Sequence, residues 1–431
     1  MMRYIIATAF ILTLLGTTAG YAQEISQTDS LQEQATVSAE PFDVEAAKQN
    51  YIDSLTPEQQ AKSDAYFEGG YWLTLWNLLY GLAVAWLFMS KGISQKLKQI
   101  VSKVKNVNLQ NFIYVAMYFV VAYVLSFPMT YYQGFFREHQ YDLSNLSFGG
   151  WIGEEMTGLI LGTVIGGLLV MGLYSAMRKL KDSWWKWAGG LSFIVLFILL
   201  FVGPVFISPL FNTYTSLSDE SIKEQILSMA RANSVPVDNV YQFDASKQSD
   251  RISANVSGVG STIRISLNDN LLNRCTPEEV KAVMGHELGH YVLNHVYEGL
   301  VYFTLIIFIG FAFVNWSFQK VLKKWGDLWP AKDISDIAGF PVFVALFSVY
   351  FFFAQPVINS IVRTNEMEAD VFGLNAAGEP DGFASVAMKL SEYRKINPGY
   401  WEEILLFDHP SGHTRVHTSM KWKAEHLSDQ K

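Results

Sequence analysis

Two histidines flank a glutamate in the run His286-Glu287-Leu288-Gly289-His290. On an α-helix, residues four apart lie one turn above each other on one face, so both imidazoles can reach a single cation. This spacing is suited to zinc: two imidazoles bind the ion, an open position takes water, and the ion lowers the pKa of that water toward about 7. Glu287 stands beside the pair, where it can take the water's proton during attack on a peptide carbonyl and return it to the leaving amine. The flanking Ala282-Val283-Met284 and Leu288 mark a half-buried helix, on which unpaired solvated histidines would be costly.

A catalytic zinc takes three protein ligands and keeps one position open. With Cys275 the only cysteine, the third must be His or carboxylate. The metzincin spacing is excluded, because Leu293 and Val296 stand where it needs Gly and His. His295 falls out of phase with the ligand face of a continuous helix and reads as a packing or surface residue. The best source is the stretch Arg363-Thr364-Asn365-Glu366-Met367-Glu368-Ala369-Asp370. Glu366 and Asp370 lie one turn apart, so Glu366 can bind the ion while Asp370 accepts a hydrogen bond from a ligating imidazole; Glu368 points elsewhere. An acidic juxtamembrane helix start would show the same residues for dipole reasons alone.

These residues need a scaffold of an unusual kind. Of the 431 residues half are hydrophobic and only 17% are charged, against about a quarter charged in ordinary soluble domains. Uncharged stretches run over 69–90, 111–136, 156–177, 187–218, 299–319 and 337–362, each long enough to cross about 30 Å of hydrocarbon as a helix. Two spans separate His290 from residue 363, an even number, so both halves of the site fall on one side of the membrane. Between the fourth and fifth spans, residues 219–298 form a small α+β peptidase core. Its helices are expected at 218–232 and from Thr276-Pro277-Glu278-Glu279, a capping box with Pro in the first turn. Strands are expected over 240–243, 251–256 and 262–267. The expected order is therefore a signal peptide or first membrane helix (1–22), an acidic polar arm (23–69), a membrane-helix domain (70–218), the peptidase core (219–298), two further spans (299–362) and a polar helical tail (363–431).

Charge sets the orientation. Residues 91–110 hold five lysines and no acid, and 178–186 hold Arg178, Lys179, Lys181 and Lys186 against Asp182; residues 137–155 hold four acids and one Arg. By the positive-inside rule the basic loops are cytoplasmic and the site is periplasmic, in a bacterial-type inner membrane. With a net charge of −8, nothing points to a nucleic-acid partner.

The stretch from Cys275 to His290, the run Glu366-Met367-Glu368-Ala369-Asp370, and Pro204-Val205-Phe206-Ile207-Ser208-Pro209-Leu210-Phe211-Asn212 together resemble the type I CAAX prenyl proteases, integral-membrane zinc metalloendopeptidases. The resemblance runs from about residue 40 to 425 and implies a mainly α, multi-pass helical barrel of six to seven spans enclosing a water-filled chamber. It implies that residues 4–22 occupy the place of the first membrane helix, and that one Zn2+ per chain serves catalysis. It also gives roles to His409-Pro410 and Arg415, with His409 stabilising the oxyanion. The family's substrate-binding strand is matched by Ser253-Ala254-Asn255-Val256-Ser257-Gly258, an edge on which an extended peptide can pair. Ser253 departs from the family's usual Asn before the Ala. In eukaryotic members the catalytic end faces the cytosol, whereas the loop charges here place it outside.

The expected activity is hydrolysis of peptide bonds in membrane-associated or lipid-linked peptides, or in damaged membrane proteins. Two other readings stay open: a scaffold or transporter-like barrel with structural zinc, and a soluble aminopeptidase on an anchor, against which the internal spans argue. Substrate identity and oligomeric state are not legible.

Overall fold

The computed structural model describes residues 42–258, 263–326, 329 and 331–427; the leader expected at 1–22 and the first part of the acidic arm lie outside the described residues. The chain begins with α1 (Val44–Ile52), followed by α2 (Pro57–Ser90), opened by a capping box between Thr56 and Gln59. The short α3 (Ile93–Val101) leads to α4 (Val107–Tyr131), which continues through a wide turn to Gln140. Next come α5 (Phe148–Leu180) and α6 (Trp184–Val202), joined by a tight turn at Lys181–Ser183.

Among the described residues, five stretches are long and apolar enough to cross a membrane: Pro57–Ser90, Val107–Gln140, Phe148–Leu210, His295–Trp325 and Ile337–Ala377. The third contains two of the six expected runs. Gly162 and Leu169 of α5 line the same cavity as Leu199 and Phe201 of α6, so the chain doubles back at the Lys181–Ser183 turn. Large apolar side chains point outward from these helices, including Trp72, Trp76, Val124, Ile160, Ile309 and Phe353. On a water-soluble protein such a surface would drive aggregation; against lipid tails it is the matched solvent.

The uncharged run over 187–218 is longer than the helix it contains. α6 ends at Val202, and the chain stays helical through a wide π turn (Gly203–Ile207) and a tight 3-10 turn (Ser208–Leu210) containing Pro204 and Pro209, whose rings cannot supply the backbone N–H groups an α-helix needs. A short strand, β1 (Tyr214–Ser216), follows where none was expected.

The peptidase core continues with α7 (Glu220–Ala232), β2 (Val240–Phe243), β3 (Ala254–Ser257) and β4 (Arg264–Asn268). The sheet order is β1-β2-β4-β3, with β2 and β4 parallel and both outer pairs antiparallel. Val240 and Val256 both register on Ile265, and one face packs on Ile226, Leu227 and Leu288. β3 begins three residues later than expected from alternation, because Asn268 holds the preceding segment off the ladder: its amide donates to the Arg251 carbonyl at 2.7 Å and its carbonyl oxygen accepts from Ser253 N–H at 3.1 Å.

After α8 (Asp269–Arg274), α9 (Pro277–Val292) carries the His-Glu-x-x-His run. Its capping box forms as expected, and Glu279 also accepts from Lys389 and Ser385 of α12 (Pro380–Leu390), tying the helix start to the C-terminal domain. The remaining helices are α10 (His295–Trp325), α11 (Phe340–Ala377), α13 (Tyr400–Leu406) and α14 (Gly412–Leu427). α1 packs on α12 and α14.

The membrane helices meet at one pole in an aromatic core built from Phe88, Tyr118, Tyr174, Trp184, Phe318 and Phe340. The lysine-rich loops lie at this pole, since Leu97, Met177, Trp184 and Leu322 join the same cluster. From Phe340 in this core, α11 runs to Glu366, a rise of about 39 Å. The charged cluster of the site is therefore at the opposite pole.

α9 crosses α11 with almost no side chain between the backbones. Gly285 and Gly289 on one helix face Ala369 and Gly373 on the other. A Cβ added at Gly373 would sit 2.7 Å from the His286 backbone nitrogen, and one at Gly285 would sit 2.8 Å from the Gly373 carbonyl oxygen. Small residues at four-residue spacing let helices approach this closely. Gly373→Ala is expected to cost about 1–3 kcal/mol by overpacking and to spread His286 from Glu366. Thermal melting and metal retention check this against Gly172→Ala, where the added methyl meets nothing within 4 Å; equal behaviour of the two variants would refute it.

Candidate metal centre

His286 and His290 project from α9 toward Glu366 on α11, and all three side chains are buried. The two Nε2 atoms are 3.1 Å apart; Glu366 lies 3.3 Å from His286 through Oε2 and 3.4 Å from His290 through Oε1. With bond lengths of about 2.0–2.2 Å to imidazole and carboxylate, a tetrahedral zinc separates neighbouring donors by about 3.3 Å. The three donors therefore have the spacing that a zinc ion would impose. Electrostatics agree: burial disfavours a charged His286, but contact with Asp370 and Glu366 outweighs it and lifts the imidazole to about 10. A position that draws a proton so strongly also draws a dication.

The surrounding residues fall into two sets. Asp370 Oδ1 is 2.8 Å from His286 Nδ1, a close contact although the ring is not turned for a straight N–H···O bond. Arg415 donates to both Asp370 oxygens, from Nε at 2.9 Å and Nη2 at 2.7 Å, and Nη2 reaches Glu366 at 3.4 Å. On the other side, His409 Nε2 lies 3.3 Å from Glu366 Oε2, and its Nδ1 is 2.9 Å from Asp408 Oδ1. His409 is not among the donors that cluster within 4.8 Å of one another. Glu287 borders the same cavity, and burial pushes its carboxyl above the usual carboxylate range.

That cavity, of about 580 Å³, joins the charged cluster to the membrane helices. It is lined by His286, Glu287 and His409, by the segment Ile252–Gly258, and by Gly158–Leu169 of α5 and the end of α6. β3 stands at the end of the sheet order, so it pairs through one edge with β4 while Ser253, Ala254, Asn255 and Val256 border the cavity. Every residue singled out for chemistry in the sequence thus borders one cavity or touches a group that does.

The structure adds one contact to the cluster that the sequence did not show. His295, read as a packing or surface residue, is buried with Nδ1 only 2.9 Å from His290 Nδ1; its Nε2 lies 3.2 Å from Glu368 Oε2. The phase argument assumed a continuous helix. α9 instead stops at Val292, and Asn294 takes the left-handed conformation (φ 62°) before α10 restarts at His295. An Asn shortly after a His-rich helix was the available signal, because Asn tolerates that conformation better than most residues.

Comparison with known proteins agrees with this geometry. Residues 216–423 match the model of peptidase family M48, and residues 44–213 match that of the CAAX prenyl protease N-terminal region, described as five membrane helices. An uncharacterized metalloprotease of Bacillus subtilis, YhfN, is 25% identical over 387 residues, covering 89% of this chain and 91% of its own. CAAX prenyl protease 1 of Saccharomyces cerevisiae is 26% identical over 345 residues, 74% and 76% of the two chains. The crystal structure of S. mikatae Ste24p superposes with a TM-score of 0.72 over 88% of this chain and 94% of that one, at 23% identity. Fold and site together define a membrane-embedded metalloendopeptidase, a helical barrel around a chamber. The chain belongs to the CAAX prenyl protease family.

Proposed function

We propose that this protein is a zinc endopeptidase that cuts membrane-associated or lipid-linked peptides, or damaged membrane proteins, on the periplasmic face of a bacterial-type inner membrane. One observation carries the reading: three buried donors at 3.1–3.4 Å beside Glu287, on a cavity that reaches the membrane helices. His286, His290 and Glu366 would hold one zinc ion. When bound, zinc supplies a Lewis acid and a water of pKa near about 7.

The chain's own residues do the rest. Glu287 takes the proton of the attacking water and delivers it to the leaving nitrogen. His409 Nε2 lies beside Glu366 while Nδ1–H donates to Asp408, so the imidazolium form of His409 can offer its second N–H, at Nε2, to the oxyanion that develops on the scissile carbonyl. Asp370 and Arg415 hold His286 and Glu366 in place. A substrate pairing with Ser253–Val256 presents its backbone in extended form beside the cluster. The apolar wall of α5 and α6 suits a lipid-linked or membrane-derived segment, consistent with relatives called CAAX prenyl proteases. Lysine-rich loops at the far pole support the periplasmic face.

Spheroplasts carrying the chain are expected to cut a peptide supplied from outside, faster when it bears a lipid chain. EDTA, which does not cross the membrane, should stop cleavage and added zinc restore it. Cleavage confined to inside-out vesicles would reverse the membrane face, and cleavage indifferent to metal removal would overturn the reaction class.

A further inference from the structure

We propose that His295 is a positioning residue for His290, setting its tautomer through a hydrogen-bond chain that ends on Glu368. The inference rests on the zinc reading of the site. To bind an ion through Nε2, where His286 and Glu366 converge, His290 must be neutral with its proton on Nδ1. That N–H points at His295 Nδ1, 2.9 Å away, and needs an acceptor there. A neutral imidazole accepts at Nδ1 only when its own proton sits on Nε2. His295 Nε2 faces Glu368 Oε2 at 3.2 Å, and an ionised carboxylate can only accept. Every donor in the chain therefore meets an acceptor, and the order is imposed from the Glu368 end.

The opposite assignment fails on the same geometry. Were His295 to donate from Nδ1, His290 would carry its proton on Nε2, where it would point at the other two donors and exclude a cation. The two ligands are thus oriented differently: His286 has Asp370 directly beside it, held by Arg415, whereas His290 reaches a carboxylate only through a second imidazole. Glu368 is 42% exposed, but His295 is only 2% exposed, so water cannot substitute for the intervening ring. The left-handed Asn294 makes the arrangement possible by turning His295 back toward α9.

Zinc affinity of the full chain in detergent, measured against a chromophoric chelator, tests this. His295→Phe keeps a planar buried ring without an acceptor and is expected to weaken zinc about 10–100-fold. His295→Asn places a carbonyl oxygen near the lost Nδ1 and is expected to recover most of the loss, with the visible spectrum of the cobalt-loaded form moving in Phe and returning in Asn. Native affinity in His295→Phe, or equal weakening in both variants, would overturn the proposal. Should His295→Phe not fold, 15N spectra of the native histidines decide: a proton on Nδ1 of His290 and on Nε2 of His295 supports the chain, and the reverse tautomers refute it. A native chain that takes up no zinc would defeat the underlying reading instead.

Discussion

Glu287→Gln is expected to bind one zinc per chain as tightly as the native protein and to cut peptide bonds about a hundred- to ten-thousand-fold more slowly. Gln matches Glu in shape but cannot take a proton from water or return one to a leaving nitrogen. Glu287 is absent from the donor cluster formed by His286, His290 and Glu366, so replacing it leaves the ligand set complete. Metal analysis beside single-turnover cleavage separates these functions. Unchanged cleavage would remove Glu287 from the chemistry. In cells, new N-termini in the membrane proteome that require Glu287 would then identify substrates.

The second large effect is expected at Arg415, which is buried with Asp370 and Glu366. Removing one partner of a buried ion pair costs about 3–5 kcal/mol, because the remaining charge stays desolvated and unpaired. Arg415→Met leaves two carboxylates in that condition, so thermal or denaturant unfolding should shift by this amount in the zinc-free chain. Zinc should recover part of it by neutralising Glu366. Arg415→Lys is expected to fall short of the native chain, since an ammonium cannot span both Asp370 oxygens as the guanidinium fork does. Combining Arg415→Met with Asp370→Asn should be less damaging than Arg415→Met alone. Strict additivity would show that the pair does not interact.

How much of this was legible in the sequence depended on whether the signal was local. The capping box at Thr276 and Glu279 involves residues three apart, and hydrophobic runs announce membrane helices through composition alone. Glu366 was reachable because parity of spans and one-turn spacing are simple geometric rules. The contacts of Arg415 with Asp370 and Glu366 were not, since nothing in a lone Arg tells which carboxylates lie across a fold; its role came only through family resemblance. Where the α-helix ends inside the uncharged run 187–218 was not legible, because hydropathy registers apolar residues but not the missing N–H groups of Pro204 and Pro209. The contact of His295 with His290 was not legible because one left-handed residue resets the phase on which a helical wheel depends.

The two sides of the metal cluster belong to α9 and the far end of α11, and the intervening chain crosses the membrane out and back. During biosynthesis His286 and His290 are therefore made before their carboxylate partner exists, and they meet it only after α11 has completed its return. A chain stalled or misinserted at α10 has no closed site. The topology thus leaves the donor set incomplete until α11 is in place.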